Sequence, residues 1–133
     1  MDKRRAPAAV VGVLSPEINR NVGNRLLTRL LGILAAVSWL LLSVVTAYGI
    51  TRGEQNSITI NLTVAAVFAG FAALFFLRSR AVEGVRRRNP DSIEVRRLLL
   101  IEGIFGTFQL LAGCLLTTAA AFRVWGEGMP VFG

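Results

Sequence analysis

Two polar side chains stand inside an otherwise apolar stretch, IEGIFGTFQLLAG at 101–113. Glu102 is the only charged residue between Arg97 and Arg123, and Gln109 follows it about two helical turns later. A carboxylate in such a stretch can carry a proton or an ion, with the amide lining its path. Both can instead fasten neighbouring helices by an ion pair or a hydrogen bond. The position of the stretch relative to a membrane decides between these roles.

Other residues able to do chemistry are scarce. The sequence has no histidine and one cysteine, Cys114. Histidine is the usual axial ligand of haem and the commonest metal ligand and general base, and one cysteine cannot form a thiolate cluster. No phosphate-binding loop or nucleophile elbow is present. We therefore expect no catalytic residue, no metal site and no cofactor held by side chains, only contacts with lipid.

The composition is that of a membrane protein. Of 133 residues 53% are hydrophobic, and the mean hydropathy is +0.58. A bilayer core of about 30 Å needs about 20 apolar residues per helical crossing, and three segments reach that length between charges. We predict an all-α integral membrane protein with three transmembrane helices. Its segments are a basic N-terminal segment (1–29), helix 1 (30–50), an outer loop (51–57), helix 2 (58–77), a basic inner loop (78–97), helix 3 (98–122) and an outer tail (123–133).

The distribution of positive charge predicts the orientation. Segments 1–29 and 78–97 hold 13 of the 15 Lys and Arg residues, and Arg52 and Arg123 are the other two. Short loops rich in these residues stay on the cytoplasmic side. The N-terminus is therefore predicted to be cytoplasmic, or in the matrix or stroma, and the C-terminus on the opposite side. The membrane is a bacterial inner membrane or an organelle membrane.

The basic loop is predicted to lie against anionic lipid headgroups. Nucleic acid is a poorer fit, because 78–97 contains no aromatic residue on which a base could stack. The candidate surface residues are Arg86, Arg87, Arg88, Arg96 and Arg97.

Two local signals concern helix ends. Ser15 as N-cap and Pro16 at the first helical position predict a helix start, and residues 16–29 then either form a short interfacial helix or extend helix 1. The interfacial alternative needs a bend at Gly23 or Gly32. In the sequence NPDS at 89–92, Asp91 or Ser92 is predicted to cap a helix that continues into the third span.

Small residues form one stripe on each span, at about 100° per residue. Lipid tails give no hydrophobic drive for helix association, so close approach at small residues must supply it. We expect a bundle lined by these stripes, with Gln109 bonding a neighbouring helix. The helix-packing candidates are Gly32, Ala36 and Ser43 in helix 1, Thr63, Ala66, Gly70 and Ala73 in helix 2, and Gly106, Gln109, Gly113 and Thr117 in helix 3.

Glu102 lies near the cytoplasmic interface, about 7.5 Å of helical rise past Arg97. An ion pair with an arginine or a hydrogen bond to a neighbouring helix is the favoured role. A proton or ion site is the alternative.

The stretch RRLLLIEGIFG at 96–106 resembles, in its paired arginines and spaced glycines, the three-span small subunit of the endoplasmic reticulum membrane insertase complex. The similarity covers this stretch alone, and we draw no expectation from it.

Two function classes remain. The first is a non-catalytic small transmembrane subunit of a larger energy-transducing or protein-handling complex, whose partners are other integral membrane subunits. The second is a self-assembling channel, holin-like pore or transporter, a homo-oligomer lined by Glu102, Gln109 and Thr117. We favour the first, because a pore needs more polar surface than this stripe provides.

Overall fold

The chain folds into three long helices. The computed structural model describes residues 16–52, 55–90 and 92–132, and side chains at 26–52, 57–90 and 92–132. The helices are α1 (Pro16–Gly49), α2 (Gln55–Arg88) and α3 (Ile93–Ala121), with a 3-10 turn at Ile50–Arg52 and a π-helical turn at Phe122–Gly126. No strand occurs among the described residues. The prediction of an all-α fold is confirmed.

Each helix is long and apolar enough to cross a membrane, over Leu26–Arg52, Ser57–Arg88 and Ile93–Gly126. Segment 78–97, predicted as a loop, is helical on both sides of a turn at Asn89 and Pro90. Arginine is a good helix former, so a run of charge marks an apolar boundary without ending the helix. Ser92, one of the two predicted caps, accepts a hydrogen bond from the Glu94 backbone N–H at 3.2 Å. The other, Asp91, lies outside the described residues.

Residues 16–29 belong to α1, which begins at Pro16 and continues through Gly23 and Gly32 as one helix. Of the two alternatives for this segment, the structure has the continuous helix. The predicted N-cap, Ser15, lies outside the described residues.

The first helix is central, and the other two pack against it. α2 runs antiparallel to α1, since Gly32 lies beside Ser79 and Ser43 beside Ala65. α3 runs parallel to α1, and contacts between the two recur at a constant offset along the chain. These contacts are Thr28 with Gly103, Leu31 with Gly106, Ser38 with Gly113, and Gly49 with Val124. α2 and α3 touch each other little. The start of α1, the end of α2 and the start of α3 therefore share one end, here called the basic end.

Glycines let α1 and α3 approach closely. A Cβ on Gly106 would stand 3.5 Å from the Leu31 Cβ, in ordinary contact. A Cβ on Gly113 would overlap the Ser38 Oγ and stand 2.9 Å from the Ser38 Cβ, so no larger residue fits there unchanged. Thr117 Oγ1 then donates a hydrogen bond to the Ser38 carbonyl at 3.1 Å.

The face of α2 that meets α1 differs from the predicted one. Ser43 Oγ donates to the Ala65 carbonyl at 2.7 Å, and Gly32 packs on Ser79. The facing residues follow one another every three or four positions: Asn61, Ala65, Phe68, Ala72, Phe75 and Ser79.

The expectation that the small stripe of α2 lines the interior is wrong for the single chain. Its members are all exposed: Thr59, Thr63, Ala66, Gly70 and Ala73. A Cβ on Gly70 would meet nothing within 4 Å. The aromatic side of α2 packs on α1 instead, because its rings fill the space beside Trp39.

The C-terminal tail folds back over the end opposite the basic end. Gly128 turns the chain with φ 70°, a backbone conformation that favours glycine. The fully buried Asn61 then holds Phe132 by two hydrogen bonds. Its Nδ2 donates to the Phe132 carbonyl at 2.6 Å, and its Oδ1 accepts from the Phe132 N–H at 3.1 Å. The buried Val124 packs beneath the tail with Leu42, Val45 and Ala120.

Replacing Asn61 by Leu should release the tail. The change removes both hydrogen bonds, each of about 1 kcal/mol, so the tail should open roughly tenfold more often or more. The rate at which carboxypeptidase removes the last residues in detergent measures this opening. Thr63→Leu, on the exposed side of the same helix, is the matched control. Equal digestion of Asn61→Leu and the unchanged chain would show that Asn61 does not hold the tail.

Candidate functional site

Glu102 forms an ion pair across the basic end of the fold. Arg78 Nε donates to Glu102 Oε1 at 2.7 Å, and Arg78 Nη2 lies 2.5 Å from the same oxygen. The Glu102 side chain is only 15% exposed, and that of Arg78 is 48% exposed. The pair joins α2 to α3, the two helices that otherwise touch little. The ion pair with an arginine that the sequence favoured for Glu102 is present in the structure.

A series of aromatic rings supports this pair. The Arg78 guanidinium lies 4.5 Å from the centroid of the Phe105 ring, a cation–π contact. Phe105 meets Phe75 edge to face at 5.9 Å, and Phe75 in turn lies 5.9 Å from Trp39. Tilted and edge-to-face pairs of this kind add to the stability that burial gives. The rings therefore link the middle of α1 to the ion pair, and they fix where the guanidinium lies.

A cleft opens beside the ion pair, between the three helices at the basic end. Its empty volume, including its open mouth, is about 520 Å³. The polar residues on its walls are Thr28, Arg29, Arg78, Ser79, Glu83, Glu102 and Gln109. The cleft exists because α2 and α3 lean on different sides of α1 and leave a gap between them.

Gln109 lines this cleft and makes no hydrogen bond to the described residues. The expectation that it bonds a neighbouring helix is therefore not met there. The reason is that α2 and α3 diverge, so the amide faces the gap between them and not a neighbouring helix. Thr117, on the same stripe of α3, does bond a neighbouring helix through the Ser38 carbonyl.

The other packing candidates divide into two groups. Gly32, Ala36, Ser43, Gly106 and Gly113 lie at contacts of α1 with its neighbours or are buried there. Thr63, Ala66, Gly70 and Ala73 face outward, away from the rest of the chain.

The predicted surface arginines lie around the turn between α2 and α3. Arg86 Nη2 lies 2.5 Å from Glu83 Oε1, and Arg87 Nε lies 3.1 Å from the same oxygen. These are pairs within one helix, one turn apart. The remaining candidates are exposed: Arg88, Arg96 and Arg97.

Among the described residues, no group of three or more His, Cys, Asp or Glu side chains stands close enough to hold a metal ion. Comparisons of the chain with protein-family models, with curated proteins and with solved structures found no match. The arrangement around Glu102 joins two helices and leaves an open cleft with polar and apolar walls beside them.

Several residues of this site were missed from the sequence. The charge pattern places Arg78 in a loop, and no predicted stripe contains Phe75 or Phe105. A signal was present in the repeat of Asn61, Phe68 and Phe75 at helical spacing along one side of α2. That side carries bulky residues, whereas the stripes predicted to pack consist of small ones.

The ion pair should contribute measurably to stability, as a double-mutant cycle can test. Glu102→Gln and Arg78→Gln should each lower the free energy of unfolding by between ~1 kcal/mol, as for an exposed pair, and ~3 kcal/mol, as for a buried one. The double variant should lower the free energy of unfolding by less than the sum of the two single changes, because neither charge is left unpaired. Denaturation in mixed micelles measures these changes, and Arg96→Gln is the control. Strict additivity would mean that the two side chains do not interact.

Proposed function

We propose that the chain crosses the membrane three times, with its N-terminus on the cytoplasmic side, or in the matrix or stroma, and its C-terminus on the opposite side. The charges at the two ends support this orientation. Arg29 from α1, the arginines at 78–88 of α2, and Arg96 and Arg97 of α3 share the basic end. At the other end Tyr48 stacks on Trp125 at 5.6 Å, and both rings are partly exposed. Tyr and Trp are typical of membrane interfaces.

Reporters fused to the two termini test this orientation. A reporter on the N-terminus should be active on the cytoplasmic side, and one on the C-terminus on the opposite side, because positive loops are retained inside. Protease protection in sealed vesicles measures the same property independently. Finding both termini on one side would exclude three crossings.

In that membrane the chain acts as a non-catalytic small subunit of a larger energy-transducing or protein-handling complex. The observation that carries this proposal is the outward position of the α2 stripe. The outward residues Ala66, Gly70 and Ala73 are all small. A Cβ on Gly70 would meet nothing within 4 Å. Close approach at such residues is the means by which helices associate in lipid. A helix of a partner subunit fits this stripe, which none of the described helices occupies.

The polar stripe of α3 supports a subunit better than a pore. A pore between copies needs polar groups that face the shared channel. Glu102 is instead held by Arg78, and Thr117 donates to the Ser38 carbonyl. Gln109 faces the cleft within the chain. Two of the three residues of the alternative's pore lining are therefore bonded to the chain's own helices, and the third faces the cleft between those helices.

Gly70→Leu tests the subunit proposal. The bulky side chain should hold a partner helix away and lower the recovery of co-purifying membrane subunits roughly tenfold, the effect of a clash of about 1–3 kcal/mol. The measurement is affinity purification from the native membrane in mild detergent, followed by identification of what co-elutes. The fold of the chain itself should be unchanged, since nothing lies within 4 Å of the new Cβ.

Two further variants serve as comparisons for Gly70→Leu. Thr107→Leu, exposed on α3, is the matched control and should keep the partners. Gly113→Leu should destabilise the chain itself, because Ser38 occupies that space. Unchanged partners for Gly70→Leu would contradict the assignment of the stripe. A pure homo-oligomer of this chain would favour the channel instead.

A further inference from the structure

We propose that the groove between α1 and α2 at the basic end binds the phosphate headgroup of one anionic glycerophospholipid. The proposal rests on the membrane placement given above and adds a defined site to it. The groove shares Arg29, Ser79 and Glu83 with the cleft beside Glu102, and its other lining residues belong to the groove alone. Its lining residues come from both helices, with Arg29 and Ile33 on α1 and Phe76, Arg80 and Arg87 among those on α2.

The groove has room for a headgroup. Its empty volume, including its open mouth, is about 860 Å³. Phe76, Arg80, Gly84 and Arg87 follow one another along one side of α2, and the glycine leaves a gap between the two arginines. A Cβ on Gly84 would meet nothing within 4 Å, so the backbone there is open to an incoming group.

The charge of the groove suits a phosphate. It is lined by three guanidinium groups, those of Arg29, Arg80 and Arg87, and by the single carboxylate of Glu83. That carboxylate is already paired with Arg86 at 2.5 Å and with Arg87 at 3.1 Å. Arg29 and Arg80 make no ion pair with the described residues. Guanidinium groups bind phosphate oxygens through paired N–H donors, which makes these two the principal ligands.

Arg80 is also held in place. Its guanidinium lies 4.9 Å from the centroid of the Phe76 ring, one turn away on the same helix. This cation–π contact restrains a side chain that otherwise loses considerable rotamer freedom on binding. A restrained arginine binds an anion at a smaller entropic cost than a free one.

The order of residues along the groove points to a lipid. Ile33 follows Arg29 by one turn of α1, and Phe76 precedes Arg80 by one turn of the antiparallel α2, so the apolar pair lies about 6 Å deeper than the two arginines. A phosphate followed by acyl chains matches this sequence of cationic and apolar walls. A small phosphate compound without acyl chains would contact only the two arginines. Basic pockets between transmembrane helices are known to hold lipid headgroups in this way.

Retention of lipid by the purified chain tests the site. The full chain is placed in nanodiscs of phosphatidylcholine with a minority of phosphatidylglycerol, extracted in mild detergent, and analysed by native mass spectrometry. We expect one phosphatidylglycerol to be retained in preference to phosphatidylcholine. Arg29→Gln with Arg80→Gln should lower this retention about tenfold or more, given about 1 kcal/mol for each arginine near the headgroups.

Two further variants separate the groove from charge in general. Gly84→Leu adds bulk to the groove without altering charge, at a position where the new Cβ meets nothing within 4 Å, and it should also abolish retention. Arg88→Gln with Arg96→Gln removes the same charge from exposed positions outside the groove. This variant should weaken the general attraction of the basic end for anionic lipid and still retain the one lipid in the groove. Retention by Gly84→Leu, or equal loss in the Arg88 and Arg96 variant, would overturn the proposal.

Glycerol 3-phosphate distinguishes a lipid from a small anion. It carries the phosphate without acyl chains and should not displace the bound lipid at equal concentration. Displacement would assign the groove to small phosphate compounds and overturn the lipid assignment. Membrane insertion is measured separately by resistance to carbonate extraction from phosphatidylcholine vesicles. A chain that inserts but retains no lipid refutes only this site, whereas a chain that does not insert refutes the membrane placement as well.

Discussion

The close approach of α1 to α3 at Gly106 and Gly113 is the contact on which the rest of the fold depends. Lipid gives apolar helices no reason to associate, so contact at short range and a few hydrogen bonds must supply the free energy. Ser38 occupies the space that a side chain at position 113 would need, and its carbonyl receives the hydroxyl of Thr117. The parallel register set here brings Glu102 to the level of Arg78.

A central helix with two neighbours leaves those neighbours apart, and polar contacts join them near each end. At the basic end the Arg78–Glu102 pair connects α2 to α3. At the other end the tail that follows α3 reaches α2, where Asn61 holds the backbone of Phe132. Each contact satisfies groups that would be costly to leave unpaired in an apolar surrounding. The cleft beside Glu102 is the space that remains between them.

The second helix presents three different surfaces: one packs on α1, one is exposed, and one forms a groove with α1 at the basic end. Its aromatic side packs on α1 around Trp39. Its small stripe at Gly70 is open to a partner helix, and its basic end forms the groove around Arg80 and Gly84. A lipid held in that groove would lie against both α1 and α2 without covering the small stripe. The proposed partner helix and the proposed lipid would therefore occupy different surfaces of α2 at the same time.

The sequence by itself determined the helices, their number and the grouping of charge. Runs of about 20 apolar residues bounded by arginine predict helices long enough to cross a membrane, whatever their neighbours are. Ser92 caps α3 through a contact two residues away. Tertiary structure decided which side of α2 faces inward. The stripe containing Gly70 and the one containing Phe68 have the same helical spacing, so periodicity cannot decide which of them faces inward. The fit of rings around Trp39 decides it.

Only the fold pairs Asn61 with Phe132, 71 positions apart, because no local pattern records a hydrogen bond between distant segments. Gln109 faces a cleft for the same reason: a stripe fixes the direction of a side chain on its helix, while the packing of the other helices decides what stands opposite.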